Sequence, residues 1–120
     1  MKATIKNYQQ TPRKVRVVAN LIKGKKVQDA LVELDFLAKR AAGPIKKLIQ
    51  SAAANAKKNF SIDPETLIIS DVRVDKGMVL KRFMPRARGS ASRLNLRFSH
   101  LTISLGLPKE KKGATKTKNK

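Results

Sequence analysis

Residues 67–75, Leu67-Ile68-Ile69-Ser70-Asp71-Val72-Arg73-Val74-Asp75, and 94–105, Leu94-Asn95-Leu96-Arg97-Phe98-Ser99-His100-Leu101-Thr102-Ile103-Ser104-Leu105, decide the fold. Both stretches alternate, and a period of two is a strand signal. Strict alternation places Ile68, Ser70, Val72 and Val74 on one face, and Ile69, Asp71, Arg73 and Asp75 on the other. In the second stretch Leu101, Ile103 and Leu105 alternate with Thr102 and Ser104, whereas Leu94, Leu96 and Phe98 occupy even positions. The apolar phase therefore flips between Phe98 and Leu101. A straight strand cannot hold both sets on one face, which predicts a bulge or hinge at Ser99-His100. Lys76-Gly77 is the matching interruption on the outgoing strand. Setting Val72 opposite Ile103 carries the register to a turn near Arg88-Gly89. Each arm then runs about 10 residues past the hinge, roughly 30–35 Å.

This arm cannot stand alone. A bare two-stranded ribbon is marginal in water. The segment carries Lys81, Arg82, Arg86, Arg88, Arg93 and Arg97, and residues 76–108 contain no acid. A solvated basic loop would have no use for the interleaved Phe83, Met84, Leu94 and Leu96. Arginine forks bind phosphate bidentately, and the small Gly89, Ser90 and Ala91 let backbone approach a surface closely. Something outside the chain must hold the arm.

Upstream, Lys2–Tyr8 alternates weakly and reads as a short edge strand. Thr11-Pro12 is a helix start, with Thr11 at N-cap and Pro12 at N1. Val15, Val18, Ala19 and Ile22 then form one helical stripe, and Gly24 stops it. Val27, Ala30, Leu31 and Leu34 repeat the spacing, with Gln28, Asp29, Glu33 and Asp35 on the opposite face. Ile45, Leu48, Ile49, Ala52, Ala53 and Ala56 mark a third helix. It begins either at Gly43-Pro44 or near Ala38 with a bend at Pro44. It ends before the turn residues Ser61-Ile62-Asp63-Pro64.

The chain has 120 residues, the size of one domain, and 28 Lys and Arg against 8 Asp and Glu, a net charge of +20. A hydrophobic content of 41% supports a small core and excludes a disordered polycation. Residues 1–28 carry eight basic side chains and no acid; seven of the eight acids lie in 29–75, which is neutral. A protein charged only for solubility would intersperse the two signs. The neutral block reads as packed centre and the basic blocks as binding surface, with a polyanion as partner. Arg13, Lys14 and Arg16 on the first helix, with Lys23, Lys25 and Lys26 after it, are expected phosphate contacts. The lysine-rich stretch at 109–120 is expected to be disordered until bound.

Cysteine is absent and His100 is the single histidine, so thiol, zinc-ribbon and histidine-cluster sites are excluded. No phosphate-binding or calcium loop motif occurs. No catalytic constellation, cofactor or metal is expected, and no small-molecule substrate. No apolar run approaches a membrane span, and residues 1–10 lack the apolar stretch of a signal peptide. An intracellular protein follows. Aromatic residues make up 4% of the chain, which disfavours recognition built mainly on base stacking. Two binding readings remain: an RNA-binding structural component, and an architectural DNA-binding protein with a β-ribbon arm.

Thr11-Pro12-Arg13-Lys14-Val15-Arg16-Val17-Val18-Ala19, followed by Ile22-Lys23-Gly24-Lys25-Lys26-Val27, resembles the N-terminal signature of the family of large-subunit ribosomal protein number 22. Ser51-Ala52-Ala53-Ala54-Asn55-Ala56 and Val74-Asp75-Lys76-Gly77 are similar to further family motifs. Lys81-Arg82-Phe83-Met84-Pro85-Arg86-Ala87-Arg88-Gly89 looks like the family's hairpin tip, and Ser99-His100-Leu101-Thr102-Ile103 like its returning strand. The resemblance runs from about residue 2 to 107. It implies an α+β fold: three helices packed on a small three-stranded antiparallel sheet, with a long protruding β-hairpin. A single domain over 1–108, with its arm at about 76–99, is expected. The resemblance further implies a cytoplasmic place in the ribosome, binding to large-subunit ribosomal RNA and neighbouring ribosomal proteins, and a part in subunit assembly. Arg86, Ala87, Arg88, Gly89, Ser90 and Ala91 would form a tip lining the peptide exit tunnel and meeting the nascent polypeptide. Ser90 stands where a basic residue is common in the family, and Leu96 and Phe98 where Lys and Thr are common.

Overall fold

The computed structural model describes residues 1–109; the expected disordered tail lies, from residue 110 onward, outside the described residues. The chain folds as β1 (Lys2–Tyr8), α1 (Pro12–Ile22), α2 (Val27–Phe36), α3 (Ala42–Phe60), β2 (Ile68–Pro85) and β3 (Ala91–Gly106). It is an α+β fold, three helices on a three-stranded antiparallel sheet of order β1-β3-β2, with β2 and β3 continuing as a long hairpin.

Local chemistry sets the helix ends. Thr11 is extended at the N-cap of α1 and Pro12 follows at its first position. Gly24 sits at φ +82°, a backbone state that glycine adopts without Cβ strain. Its N–H donates to the Ile69 carbonyl at 2.9 Å, and Val27 N–H donates to Leu67 O at 3.1 Å, lacing the α1–α2 turn to the start of β2. Of the two starts open for the third helix, neither is exact. α3 begins at Ala42, two residues before Pro44. Pro44 therefore lies in the first turn, where its missing N–H has no partner to lose.

The core is the contact between the helices and one sheet face. Val15, Val18 and Ile22 of α1, Ala30 and Leu34 of α2, and Ile45, Ile49, Ala52 and Ala56 of α3 are buried. Against them lie Ile69, Leu101, Ile103 and Leu105. Each fully buried Ile or Leu contributes about 1.5–3 kcal/mol. The small side chains of α3 let it lie close to β1 and β3.

The register places Val72 opposite Ile103, as the alternation implies, and the hairpin turns over Ala87–Gly89. Two expectations are corrected. Ser70 is an extra residue between the pairs Ile69–Leu105 and Asp71–Ser104. This bulge shifts the phase of β2 by one, so Ile69, and not Ile68, joins Val72 and Val74 on the core side. The second correction is at the hinge. β3 runs without an inserted residue through Ser99-His100, and the bulges lie on its two neighbours. Gly77 and Met78 together oppose Phe98, and Lys6 and Asn7 together oppose His100. Asn7 takes a left-handed φ of 55°, and its N–H donates to His100 Nδ1 at 3.1 Å. A Cβ on Gly77 would lie 3.0 Å from the Phe98 carbonyl oxygen, so this crossing needs glycine. β3 simply keeps its odd residues on one face and its even residues on the other. The body covers the odd face, and Leu94, Leu96 and Phe98 are on the even one.

Candidate nucleic-acid interface

Beyond the pair Lys76–Ser99 the sheet has only two strands. The Gly77–Met78 bulge decides what each arm face carries. With it, Leu80 pairs with Leu96, Arg82 with Leu94, and Met84 with Ser92. Facing pairs lie on the same side. One face is therefore Leu80, Met84, Leu94, Leu96 and Phe98, with Arg82. The other carries Lys81, Arg93 and Arg97 together with Val79 and Phe83, from the pairs Lys81–Asn95, Phe83–Arg93 and Val79–Arg97. Were the register to run on unbroken from Lys76–Ser99, Arg82 would face Arg93. The bulge thus sets Leu80 opposite Leu96 and leaves no cation of the ribbon directly opposite another.

Among the described residues nothing packs over residues 81–91 of the arm, all of which are exposed. Phe83 is 73% exposed and Leu96 44%. Four ion pairs occur among the described residues: Lys23–Asp71, Lys25–Glu33, Lys46–Asp35 and Arg73–Asp75. None uses a cation of residues 76–108. At the tip Arg86 N–H donates to Ser90 O at 2.7 Å, and Arg86 Nε donates to Ser92 Oγ at 3.0 Å. Arg88 and Gly89 are both left-handed, at φ 60° and 71°. A non-glycine residue there is uncommon and costs on the order of 1 kcal/mol. The tip is a tight, internally bonded turn with Ala87, Arg88, Gly89, Ser90 and Ala91 exposed.

The cations of the first helix divide by role. Arg13 and Lys14 are exposed on its first turn, which has no acid. The positive end of the helix dipole adds to them. Arg16, expected among the phosphate contacts, also forks onto the Val74 carbonyl from Nε at 3.3 Å and Nη2 at 3.0 Å, pinning α1 to β2. Lys23 pairs with Asp71 at 2.7 Å and Lys25 with Glu33 at 2.5 Å. The Lys23 ammonium holds the Asp71 carboxyl below the usual carboxylate range. Lys26 is exposed at the N-cap of α2.

Two hollows flank the N-terminus of α1 where the arm leaves the body. The first, about 460 Å³, is lined by Thr11, Pro12 and four cations: Arg13, Arg16, Lys76 and Arg97. The second, about 590 Å³, shares Thr11 and Arg97 and adds Lys14 and Arg40. Neither has a carboxylate in its lining. Lys76 and Arg40 are absent from the phosphate contacts expected from the sequence. Lys76 lay in the acid-free block, a usable signal. Arg40 lay in the neutral one, where nothing local marked it. Concave surfaces lined by one sign of charge concentrate counter-charged ligands, and unpaired guanidinium groups suit phosphate. Among the described residues no cluster of His, Cys, Asp or Glu could hold a metal, and no helix is long and apolar enough to cross a membrane.

Comparison with known proteins gives a consistent result. Residues 3–106 match the family model described as ribosomal protein L22p/L17e. Large ribosomal subunit protein uL22 of Herpetosiphon aurantiacus is 47% identical over 102 residues, covering 85% of this chain and 90% of the relative. The protein of the same description from Beijerinckia indica is 48% identical over 102 residues, covering 85% and 79%. That from Mesorhizobium japonicum is 44% identical over 110 residues, covering 92% and 85%.

Proposed function

The chain belongs to the ribosomal protein L22p/L17e family, a structural and non-enzymatic constituent of the large ribosomal subunit in the cytoplasm, and from that premise we propose that it binds ribosomal RNA through its arm and the α1 end of its body. The observation that carries this is the arm. It is a two-stranded ribbon with no acid and no cation paired to a carboxylate among the described residues. Self-repulsion and lack of packing leave it dependent on a polyanion. Arg13, Lys14 and Lys26 on the body, and Lys81, Arg82, Arg86, Arg88, Arg93 and Arg97 on the arm, supply phosphate contacts. Arg16, Lys23 and Lys25 combine that role with holding the body together. Affinity comes from phosphate neutralisation and shape more than from base edges. Binding at these sites joins segments of the RNA and aids subunit assembly.

The tip, residues 86–91, lines the peptide exit tunnel and meets the nascent polypeptide. Its small exposed residues suit a wall that another chain passes closely. Protein neighbours in the particle are assigned to the outer face of α2. There Val32 and Phe36 are exposed beside Asp29, a carboxylate that repels phosphate, and Asp35, which Lys46 pairs.

The test is binding of full-length protein to large-subunit RNA across a salt series, with duplex DNA as control. About ten phosphate contacts give a log–log slope on the order of −7 to −9. Equal affinity for duplex DNA would favour the architectural DNA-binding reading instead. Deleting residues 87–91 should permit incorporation into subunits while changing nascent-chain stalling. A deletion that blocks assembly would refute the separation of tip from anchor.

A further inference from the structure

The second hollow differs from the first in its floor. Leu80, Leu96 and Phe98 line one side of it, the apolar arm face brought together by the Gly77–Met78 bulge. Lys14 and Arg40 of the body, and Arg97 of the arm, line it as well. Gln10 also borders it, and the Gln10 Oε1 is buried with no hydrogen-bond partner. A buried amide oxygen without a partner is costly, and each such group in a native fold calls for an occupant or a donor. The volume of about 590 Å³ is inside the range of small-molecule-sized pockets, roughly 300–1,000 Å³.

The ligand must satisfy three demands together: a flat or apolar body for the floor, an anionic group for three cations, and a polar edge for Gln10. Bare phosphate meets only the second. An apolar peptide segment meets only the first, and an acidic one leaves the floor bare. A nucleotide turned out of its stack meets all three. We propose that this hollow holds a single unpaired nucleotide of the large-subunit RNA. Its base lies on Leu80, Leu96 and Phe98, its base edge hydrogen-bonds the Gln10 amide, and its phosphate meets Lys14, Arg40 and Arg97. Turned-out bases packed on apolar side chains are a usual mode of specific RNA recognition. The adjacent hollow, with Arg13, Arg16 and Lys76, is placed for the next phosphate along the strand.

The inference rests on the RNA-binding reading above and adds a site of base recognition to a surface otherwise suited to phosphate. It also gives a role to Leu96 and Phe98, which no phosphate contact would use.

The chain has no cysteine, so Gln9→Cys, at the rim of the hollow, can carry a short photoreactive group. Full-length labelled protein is bound to large-subunit RNA, irradiated, and the cross-link mapped by primer extension. The expected result is one dominant cross-link at an unpaired nucleotide. Its base should be protected from base-specific modification by wild-type protein. Leu80→Ala with Leu96→Ala should restore that reactivity and weaken binding by about 10-fold, within the range for loss of one packed base. The salt slope should stay the same, because no charge is removed. Gln10→Ala should weaken binding by about 3- to 10-fold, the loss of a net hydrogen bond or two. A cross-link confined to paired stems or to another protein would overturn the proposal. So would a base equally reactive with and without the protein, or one still protected in the double variant. If wild-type protein fails to bind the RNA at all, the RNA reading itself falls and the pocket with it. If binding persists and only the base result fails, the pocket alone is wrong.

Discussion

Replacing Arg16 tests whether this residue holds the fold as well as facing the RNA. Its guanidinium donates twice to the Val74 carbonyl, at 3.3 and 3.0 Å, across the α1–β2 contact. Hydrogen bonds from charged donors are worth about 1.5–3 kcal/mol where water is excluded. Arg16 is exposed over much of its length, and solvent competition lowers its share to about 1–2 kcal/mol. For a folded part of this size that is a fall in Tm of about 5–10 °C. Arg16→Ala should show this loss in thermal and urea unfolding of the isolated protein. Arg16→Lys should recover little of it, because an ammonium cannot fork, yet should keep the salt slope of RNA binding. Arg13→Ala is the opposite case. Its exposed side chain has no hydrogen-bond or ion-pair partner among the described residues, so stability should stay within about 0.5 kcal/mol. The salt slope should flatten by about 0.7–0.9, one phosphate contact. If Arg16→Ala melts with the wild type, or if Arg16→Lys is as stable as the wild type, the pinning role is refuted.

Deleting Met78 removes the extra residue but keeps the pairs beyond it, so Arg82 stays opposite Leu94. The arm faces and the salt slope of RNA binding should therefore be unchanged. Cross-strand contacts by NMR that move to a new register would reject this. Gly77→Ala should cost about 1–3 kcal/mol, since the new Cβ meets Phe98 backbone at 3.0–3.1 Å; an unchanged Tm would mean that the crossing can open freely. Ile103→Ala, at a fully buried sheet position, should cost about 2–5 kcal/mol, read from the urea midpoint. The Asp71 carboxyl, lowered by Lys23, contributes to stability above its unfolded pKa and loses that contribution as pH falls through its lower folded value. A titration followed by NMR should place it below a free aspartate, and Lys23→Ala should raise it; an ordinary midpoint in the wild type would sink the pairing.

Much of this molecule was legible in order of residues alone. The stripes Val15-Val18-Ala19-Ile22 and Ile45-Leu48-Ile49-Ala52 need only helical spacing to declare a buried face. Val72 opposite Ile103, the turn near Arg88-Gly89 and the acid-free arm follow from alternation and charge. The motifs around Arg13 and Gly89 were enough to suggest the family. These features are local: each is set by neighbours in sequence, or by one antiparallel register that a single pairing fixes.

What local spacing could not supply was where that register breaks. Alternation assigned Ile68 to the core, but the Ser70 bulge turns Ile69 inward. The phase flip at Ser99-His100 and the interruption at Lys76-Gly77 were legible, yet the extra residues sit not on β3 but on its neighbours, at Gly77-Met78 and Lys6-Asn7. A bulge is a mismatch between two strands, so one strand's pattern cannot say which of them carries the insertion. The same holds for the site. The cations of α1 were visible, but their meeting with Lys76, Arg97 and Arg40 around two hollows depends on how the arm leaves the body. Arg16 looked like its neighbours until the Val74 carbonyl, 58 residues away, came within reach. Tertiary structure decided these points because hydrogen bonds and hollows belong to pairs of segments, and their partners are chosen only when the chain closes on itself.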